Sequence, residues 1–72
     1  MESQYNQGDV LQNIEMTKNG LVKRIAVIIR VFSEGAYHYY DMAFLTAGKR
    51  FAIDITHIDG GDVWTLLARG QQ

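Results

Sequence analysis

Apolar and polar residues alternate along most of the chain, in four segments that each have the pattern of a β-strand. The segments are rich in β-branched and aromatic side chains and span residues 9–17, 21–33, 36–46 and 49–58. Glycine-containing turn dipeptides separate them: Asn19-Gly20, Glu34-Gly35 and Ala47-Gly48. Because tight turns join antiparallel neighbours, the pattern predicts a four-stranded meander in the order 1-2-3-4.

Two-residue loops at these turns would determine which residues face each other across the sheet. The first loop places Ile14 opposite Ile25, and the third places Phe44 opposite Phe51. Apolar residues then meet apolar residues, so we expect one apolar inner face. Its members would be Val10, Ile14, Met16, Ile25, Val27, Ile29, Val31, Tyr40, Met42, Phe44, Phe51, Ile53 and Ile55.

The last segment, residues 62–70, carries the signals of a short helix. Asp62 is a favourable N-cap, and Gly70 is a favourable residue just after the last turn. Trp64 and Leu67 give the segment an apolar stripe that would pack on the inner face. The expected fold class is α+β: a four-stranded antiparallel β-meander with a short C-terminal helix on one face. A fifth strand that closes a small five-stranded β-barrel is the alternative, since short apolar runs fit either structure.

The chain has 72 residues, and we expect a flexible N-terminal segment, residues 1–8, and one domain, residues 9–72. A domain of this size is marginally stable, and no cysteine is present to form disulfides. The expected helix is only about 12 Å long and cannot cover the inner face. We therefore expect a homodimer, the commonest closed assembly. Its core and interface residues would be Trp64, Leu67, Ile25, Phe44 and Phe51.

Basic and acidic residues lie at opposite ends of the predicted meander. The first and third turns are at the same end, and most basic residues are near these turns. The basic residues that gather there, called here the basic pole, are Lys18, Lys23, Arg24, Lys49 and Arg50. Acidic residues gather at the other end: Asp9, Glu34, Asp59 and Asp62. A basic pole suits nucleic acid, phosphate or an acidic protein surface. Tyr37 and Tyr39 are the candidate platforms for base stacking.

Two pairs of side chains could carry chemistry. His38 and His57 lie opposite each other on the predicted inner face, but two imidazoles without a ligand-spacing motif are a weak metal candidate, and we expect no cofactor. Asp41 and Asp54 are predicted neighbours on the outer face, where two carboxylates can share a proton. No nucleophile or histidine joins them on that face, so we expect no enzymatic activity.

The absence of an active-site motif, the small size and the excess of apolar surface favour a protein-interaction module. We expect a small homodimer that binds and modulates another protein without catalysis. Residues 1–9 are polar, and no apolar run approaches the roughly 18 residues of a membrane span, so a cytoplasmic protein without membrane contact is expected.

The alternative function is binding of single-stranded nucleic acid through the basic pole and the tyrosines. The order β-β-β-β-α, used as a dimer, resembles the single-stranded-DNA-binding coactivator fold in topology, which implies the same ligand. The chain departs from that family because its formal net charge is −1, without a strongly basic composition.

Overall fold

The computed structural model of the protein describes residues 4–46, 48–59 and 63–70, and its main element is an antiparallel sheet of five strands. The elements in chain order are β1 (Val10–Thr17), β2 (Gly20–Glu34), β3 (Tyr37–Phe44), β4 (Arg50–Asp54), α1 (Ile55–Asp59) and β5 (Trp64–Ala68). The strands lie in the order β4-β3-β2-β1-β5, and the sheet is not closed. The predicted order of the first four strands is confirmed.

The C-terminal segment is a strand, so the predicted helix over residues 62–70 is wrong. β5 pairs antiparallel with β1, with Leu11 opposite Leu66 and Asn13 opposite Trp64. The outer edge of β1 offers this short apolar run backbone partners, and a helix of so few residues has little stability of its own. β5 corresponds to the fifth strand of the alternative prediction, but the closed barrel is not formed.

Among the described residues, the helix is α1, which lies before the C-terminal segment. It occupies residues where the fourth strand was expected to continue to residue 58. Asp54 ends β4 and caps α1, because its Oδ1 accepts hydrogen bonds from the Thr56 amide at 2.9 Å and the Thr56 hydroxyl at 2.7 Å. Ile55 and Ile58 are buried against the sheet. The chain therefore leaves β4 and immediately covers the core.

The first hairpin closes on a different loop from the predicted one. Its loop is Lys18-Asn19 rather than Asn19-Gly20, so Ile14 faces Lys23 instead of Ile25. The partner moves by two residues, and a shift of two keeps every side chain on its face. This error changes the cross-strand pairs without changing which residues share a surface.

A bulge in β2 has a larger effect, since it inverts the predicted inner face for part of the sheet. The register shifts between Ile28 and Arg30, where β2 carries one extra residue relative to β3. An extra residue moves the side chains beyond it to the opposite face. Phe44 is consequently paired with Ala26, and Ile25 lies on the other face of the sheet. The prediction of a single inner face that contains both Ile25 and Phe44 is wrong.

The third hairpin keeps its predicted face and shifts only its pairs. Met42 faces Phe51, and Tyr40 faces Ile53, each two residues from the predicted partner. Phe44 and Phe51 still meet diagonally, with ring centroids 4.8 Å apart. These aromatic side chains belong to the core as expected.

The core lies on the concave face of a strongly curled sheet. Its buried members are Tyr5, Leu11, Ala26, Ile28, Tyr40, Met42, Ile55, Ile58 and Trp64. A flat sheet would hold its edge strands about 19 Å apart, at ~4.8 Å for each spacing. The rings of Phe51 in β4 and Trp64 in β5 are nevertheless only 6.4 Å apart. Curling of the sheet, together with α1, gives the concave face the cover that was expected from a second chain.

Residues 4–8 close one end of this core. Tyr5 is buried, and its amide donates a hydrogen bond to the Tyr40 hydroxyl at 3.1 Å. That hydroxyl donates in turn to Asp59 Oδ1 at 2.7 Å. The prediction of a flexible segment over residues 1–8 did not include this packing.

Replacing Tyr40 with Phe should lower the free energy of unfolding by about 1–3 kcal/mol, because it removes a buried acceptor and donor. The matched variant Tyr37→Phe loses the same atom from a side chain that is 62% exposed, and should change stability by less than about 0.5 kcal/mol. Urea unfolding measures both values. Equal effects of the two substitutions would contradict the role given to the Tyr40 hydroxyl.

Candidate interaction surface

The convex face of the sheet carries an apolar strip along the first hairpin. Successive side chains of β1 and β2 point to opposite faces of the sheet. Leu11 and Ala26 point into the core, so the residues next to them in each strand point to the convex face. The convex strip is formed by Val10, Ile14, Met16, Leu21, Ile25 and Val27. Met16 and Leu21 are direct cross-strand partners and are 75% and 61% exposed. The other members are half-buried, and the polar side chains of Gln12 and Lys23 lie between them on the same face.

The outer part of the same hairpin is a two-stranded arm. β5 pairs with β1 only over residues 10–13, after which the Ile14 amide donates to the Val63 carbonyl. β3 pairs with β2 only from Ala26 onward. Beyond these points, among the described residues, residues 15–17 have only β2 as a neighbouring strand, and residues 20–24 have only β1. We call these two stretches the hairpin arm.

Two residues of the basic pole form ion pairs, and Arg50 shares its carboxylate with Arg30. Arg24 forms an ion pair with Glu15, and Arg50 lies 2.8 Å from Asp41 Oδ2. The remaining cations have no ion pair within the part of the chain that the structure describes: Lys18, Lys23 and Lys49. The positive charge available to a partner therefore lies mainly on the hairpin arm and at the start of β4.

Asp41 is held between two arginines on the convex face, beyond the bulge. Its Oδ2 accepts hydrogen bonds from Arg50 Nη2 at 2.8 Å and from Arg30 Nε at 3.2 Å. The Arg50 hydrogen bond, followed by that of Arg30, outweighs burial and lowers the pKa of Asp41 below its ordinary 3.8. The Arg30 guanidinium also lies 4.5 Å from the centre of the Phe32 ring, which stacks on Tyr39 at 5.4 Å. The cluster is thus internally satisfied.

Asp41 and Asp54 do not form the carboxylate pair that the predicted register suggests. Asp41 faces Ala52, so the two aspartates are diagonal rather than direct neighbours. The Thr56 amide and hydroxyl bind Asp54 and lower its pKa, as the arginines lower that of Asp41. A shared proton would instead raise the pKa of one carboxyl group. The arrangement therefore gives no basis for acid–base chemistry through this pair.

The two histidines make different contacts. His38 Nδ1 is hydrogen-bonded to Ser33 Oγ at 2.7 Å in the second hairpin, and His57 is exposed on α1. After the Thr56 hydrogen bonds, both imidazoles also lower the pKa of Asp54. No group of three or more His, Asp or Glu side chains among the described residues could hold a metal ion. Asp62 lies outside the described residues.

The predicted stacking tyrosines are separated from the basic pole. Tyr37 begins β3, while Arg50 pairs with Ala43 near the other end of that strand. Six residues of a strand span about 20 Å, so Tyr37 is remote from the basic residues. Tyr39 is half-buried beside Phe32.

The residues predicted for the core and interface do not share one surface. Phe44, Phe51 and Trp64 contribute to the concave core. Ile25 belongs to the convex strip, and Leu67 is exposed on β5. The exposed Met16–Leu21 pair was missed, because alternation in β1 shows that two faces exist without showing which one is buried.

No family model, curated protein or solved structure matches this chain. The topological resemblance to the single-stranded-DNA-binding coactivator fold does not hold, because the last element is a strand paired with β1. Within the described residues, no helix has the length and apolar character needed to cross a membrane.

The lowered pKa values of Asp41 and Asp54 predict a loss of stability in acid. A carboxyl group whose pKa falls on folding stabilises the fold fully above its unfolded pKa, and this contribution is lost as the pH drops through the folded value. The free energy of unfolding should therefore decrease below about pH 4.

Asp41→Asn should weaken this dependence and lower stability at neutral pH, because it leaves Arg30 and Arg50 without their shared carboxylate. Glu34→Gln is the matched control, since Glu34 is exposed and has no ion pair among the described residues. Denaturant unfolding between about pH 2 and 7 measures both variants. The same acid dependence in Asp41→Asn and the wild type would contradict the assignment.

Proposed function

We propose that this protein is a non-enzymatic interaction module that forms a homodimer and binds and modulates another protein. The observation that carries the proposal is the convex strip, in which Met16 and Leu21 lie side by side and largely exposed. Burial of a side chain of this size is worth about 1.5–3 kcal/mol, so covering the strip is favourable. Half-buried aliphatic residues extend the surface toward the centre of the sheet.

The convex strip is the proposed homodimer interface. The concave face has its own cover from α1 and Tyr5, whereas Met16 and Leu21 on the convex face stay exposed. Two such faces can stack about 10 Å apart, as the layers of a β-sandwich do. Lys23 is paired with Ile14 on the same face, and its aliphatic stem can follow the apolar surface while its ammonium group stays in water.

Light scattering coupled to size exclusion tests the dimer. The wild type should have the mass of two chains at micromolar concentration, and its melting temperature should rise with concentration, because association stabilises the folded chain. Leu21→Ser should shift the mass toward one chain. Leu67→Ser, an equivalent change at an exposed leucine of β5, should leave the dimer intact.

The reverse result, dissociation by Leu67→Ser alone, would move the interface to β5. A wild type of one-chain mass with a constant melting temperature would end the homodimer proposal.

Binding of single-stranded nucleic acid through the basic pole is the second candidate. Lys18, Lys23 and Lys49 lack ion pairs among the described residues, which favours an anionic partner. The ion pair of Arg24 with Glu15 and the distance of Tyr37 from the basic pole favour a protein partner instead.

A salt titration of oligothymidylate binding separates the two functions. A nucleic-acid binder should lose affinity steeply with salt, because binding releases counterions. The protein-interaction module should bind the oligonucleotide weakly at every salt concentration. Tight, salt-sensitive binding would make nucleic acid the preferred partner.

A further inference from the structure

The hairpin arm leaves one edge of β2 without a neighbouring strand. β2 is 15 residues long, whereas β1 and β3 have 8 residues each. β1 pairs with residues 20–27 of β2. On the other side, the last pair between β3 and β2 is Phe44 with Ala26, and one further hydrogen bond joins the Leu45 amide to the Ile25 carbonyl at 2.9 Å. The edge of residues 20–24 that faces away from β1 therefore has no partner among the described residues.

The backbone groups on this open edge can be assigned. Ile25 directs its carbonyl toward β3, and alternate residues of an antiparallel strand direct their N–H and C=O groups to the same side. Leu21 and Lys23 therefore present their backbone groups at the open edge, whereas Val22 and Arg24 direct theirs toward β1. An unpaired row of this kind is the template for strand addition.

The side chains around the open edge indicate the charge of its partner. Lys23 lies on the edge, Lys18 in the hairpin loop and Lys49 just before β4, and none has an ion pair among the described residues. Leu45, beside Ile25, is exposed and adds an apolar contact where β3 ends. A chain that pairs here meets three lysines that have no ion pair within the described part of the chain.

We propose that an extended acidic segment of the partner protein adds to the open edge of β2 as a further strand. It would occupy the line of β3 beyond Phe44, accept and donate backbone hydrogen bonds at Leu21 and Lys23, and compensate the three lysines. This site deepens the proposed function and rests on it, since the added strand belongs to the protein that is bound. A second copy of this chain is a poorer occupant of the edge, because pairing two such arms brings like charges together.

Amide hydrogen exchange gives the direct test, with a short peptide of alternating glutamate and valine as the probe. The amides of Leu21 and Lys23 should exchange fast in the free protein and slow down when the peptide binds. Val22 and Arg24 are internal controls, because their amides already face β1. A peptide with lysine in place of glutamate should give no protection, and the protection should weaken as salt is added.

Two substitutions at one position separate charge from strand pairing. Lys23→Thr removes the charge and keeps the amide, and should weaken peptide binding about two- to fivefold, as for one exposed ion pair. Lys23→Pro also removes the amide donor that faces the open edge, and should weaken binding roughly three- to tenfold more. Proline is tolerated on an edge whose N–H faces solvent, so β1 pairing should persist. If Lys23→Pro does not fold, the exchange experiment decides alone.

Two results would overturn the proposal: equal affinity of the Lys23→Thr and Lys23→Pro variants when both are folded, or no slowing of exchange at the Leu21 and Lys23 amides when the peptide binds. Tighter binding of oligothymidylate than of the acidic peptide would also overturn it, in favour of nucleic acid. The homodimer mass is read in parallel. A dimer that persists while the peptide fails to bind rejects the open-edge site alone, whereas loss of both rejects the proposed function as well.

Discussion

The extra residue between Ile28 and Arg30 in β2 controls which surfaces of this sheet are buried. β2 is hydrogen-bonded to β1 on one side and to β3 on the other, so a bulge in it changes the relation between the two halves of the sheet. It places Ala26 and Ile28 in the same core as Met42. A bulge also increases local twist, which is consistent with the curl that brings the rings of β4 and β5 to within contact.

Asp9 joins the two ends of the described chain through hydrogen bonds to both. These hydrogen bonds help to hold β5 against β1. Asp9 is buried and accepts hydrogen bonds from the amides of Asn6 and Gly70, with Arg69 close by. Burial raises the pKa of Asp9, but the Gly70 and Asn6 amides and the charge of Arg69 outweigh it and lower the pKa below 3.8. Gly70 is required sterically, since an added Cβ would lie 2.5 Å from the Gly8 carbonyl carbon.

The same register that builds the core divides the surface charges into two classes. Arg24 and Arg50 find carboxylates within the sheet, and Arg30 shares one of them. The lysines of the hairpin arm and of the start of β4 do not. Apolar side chains on the convex face and open backbone groups on the arm lie next to those lysines. Their juxtaposition supports recognition of a protein partner more strongly than any single residue does.

The alternation of apolar and polar residues by itself determined the order of β1 to β4 and the shared face of Tyr40, Met42, Phe44 and Phe51, because both depend on neighbours close in the chain. Topology alone also placed the basic residues near two turns at one end. The tertiary structure decided the rest. The alternation of apolar and polar residues does not reveal the bulge in β2. The bulge determines which face of the first hairpin is buried, and Met16 lies on the exposed face. The last segment became a strand because β1 had a free edge. The ion pairs of Arg24 and Arg50 depend on contacts between side chains that only the folded register creates.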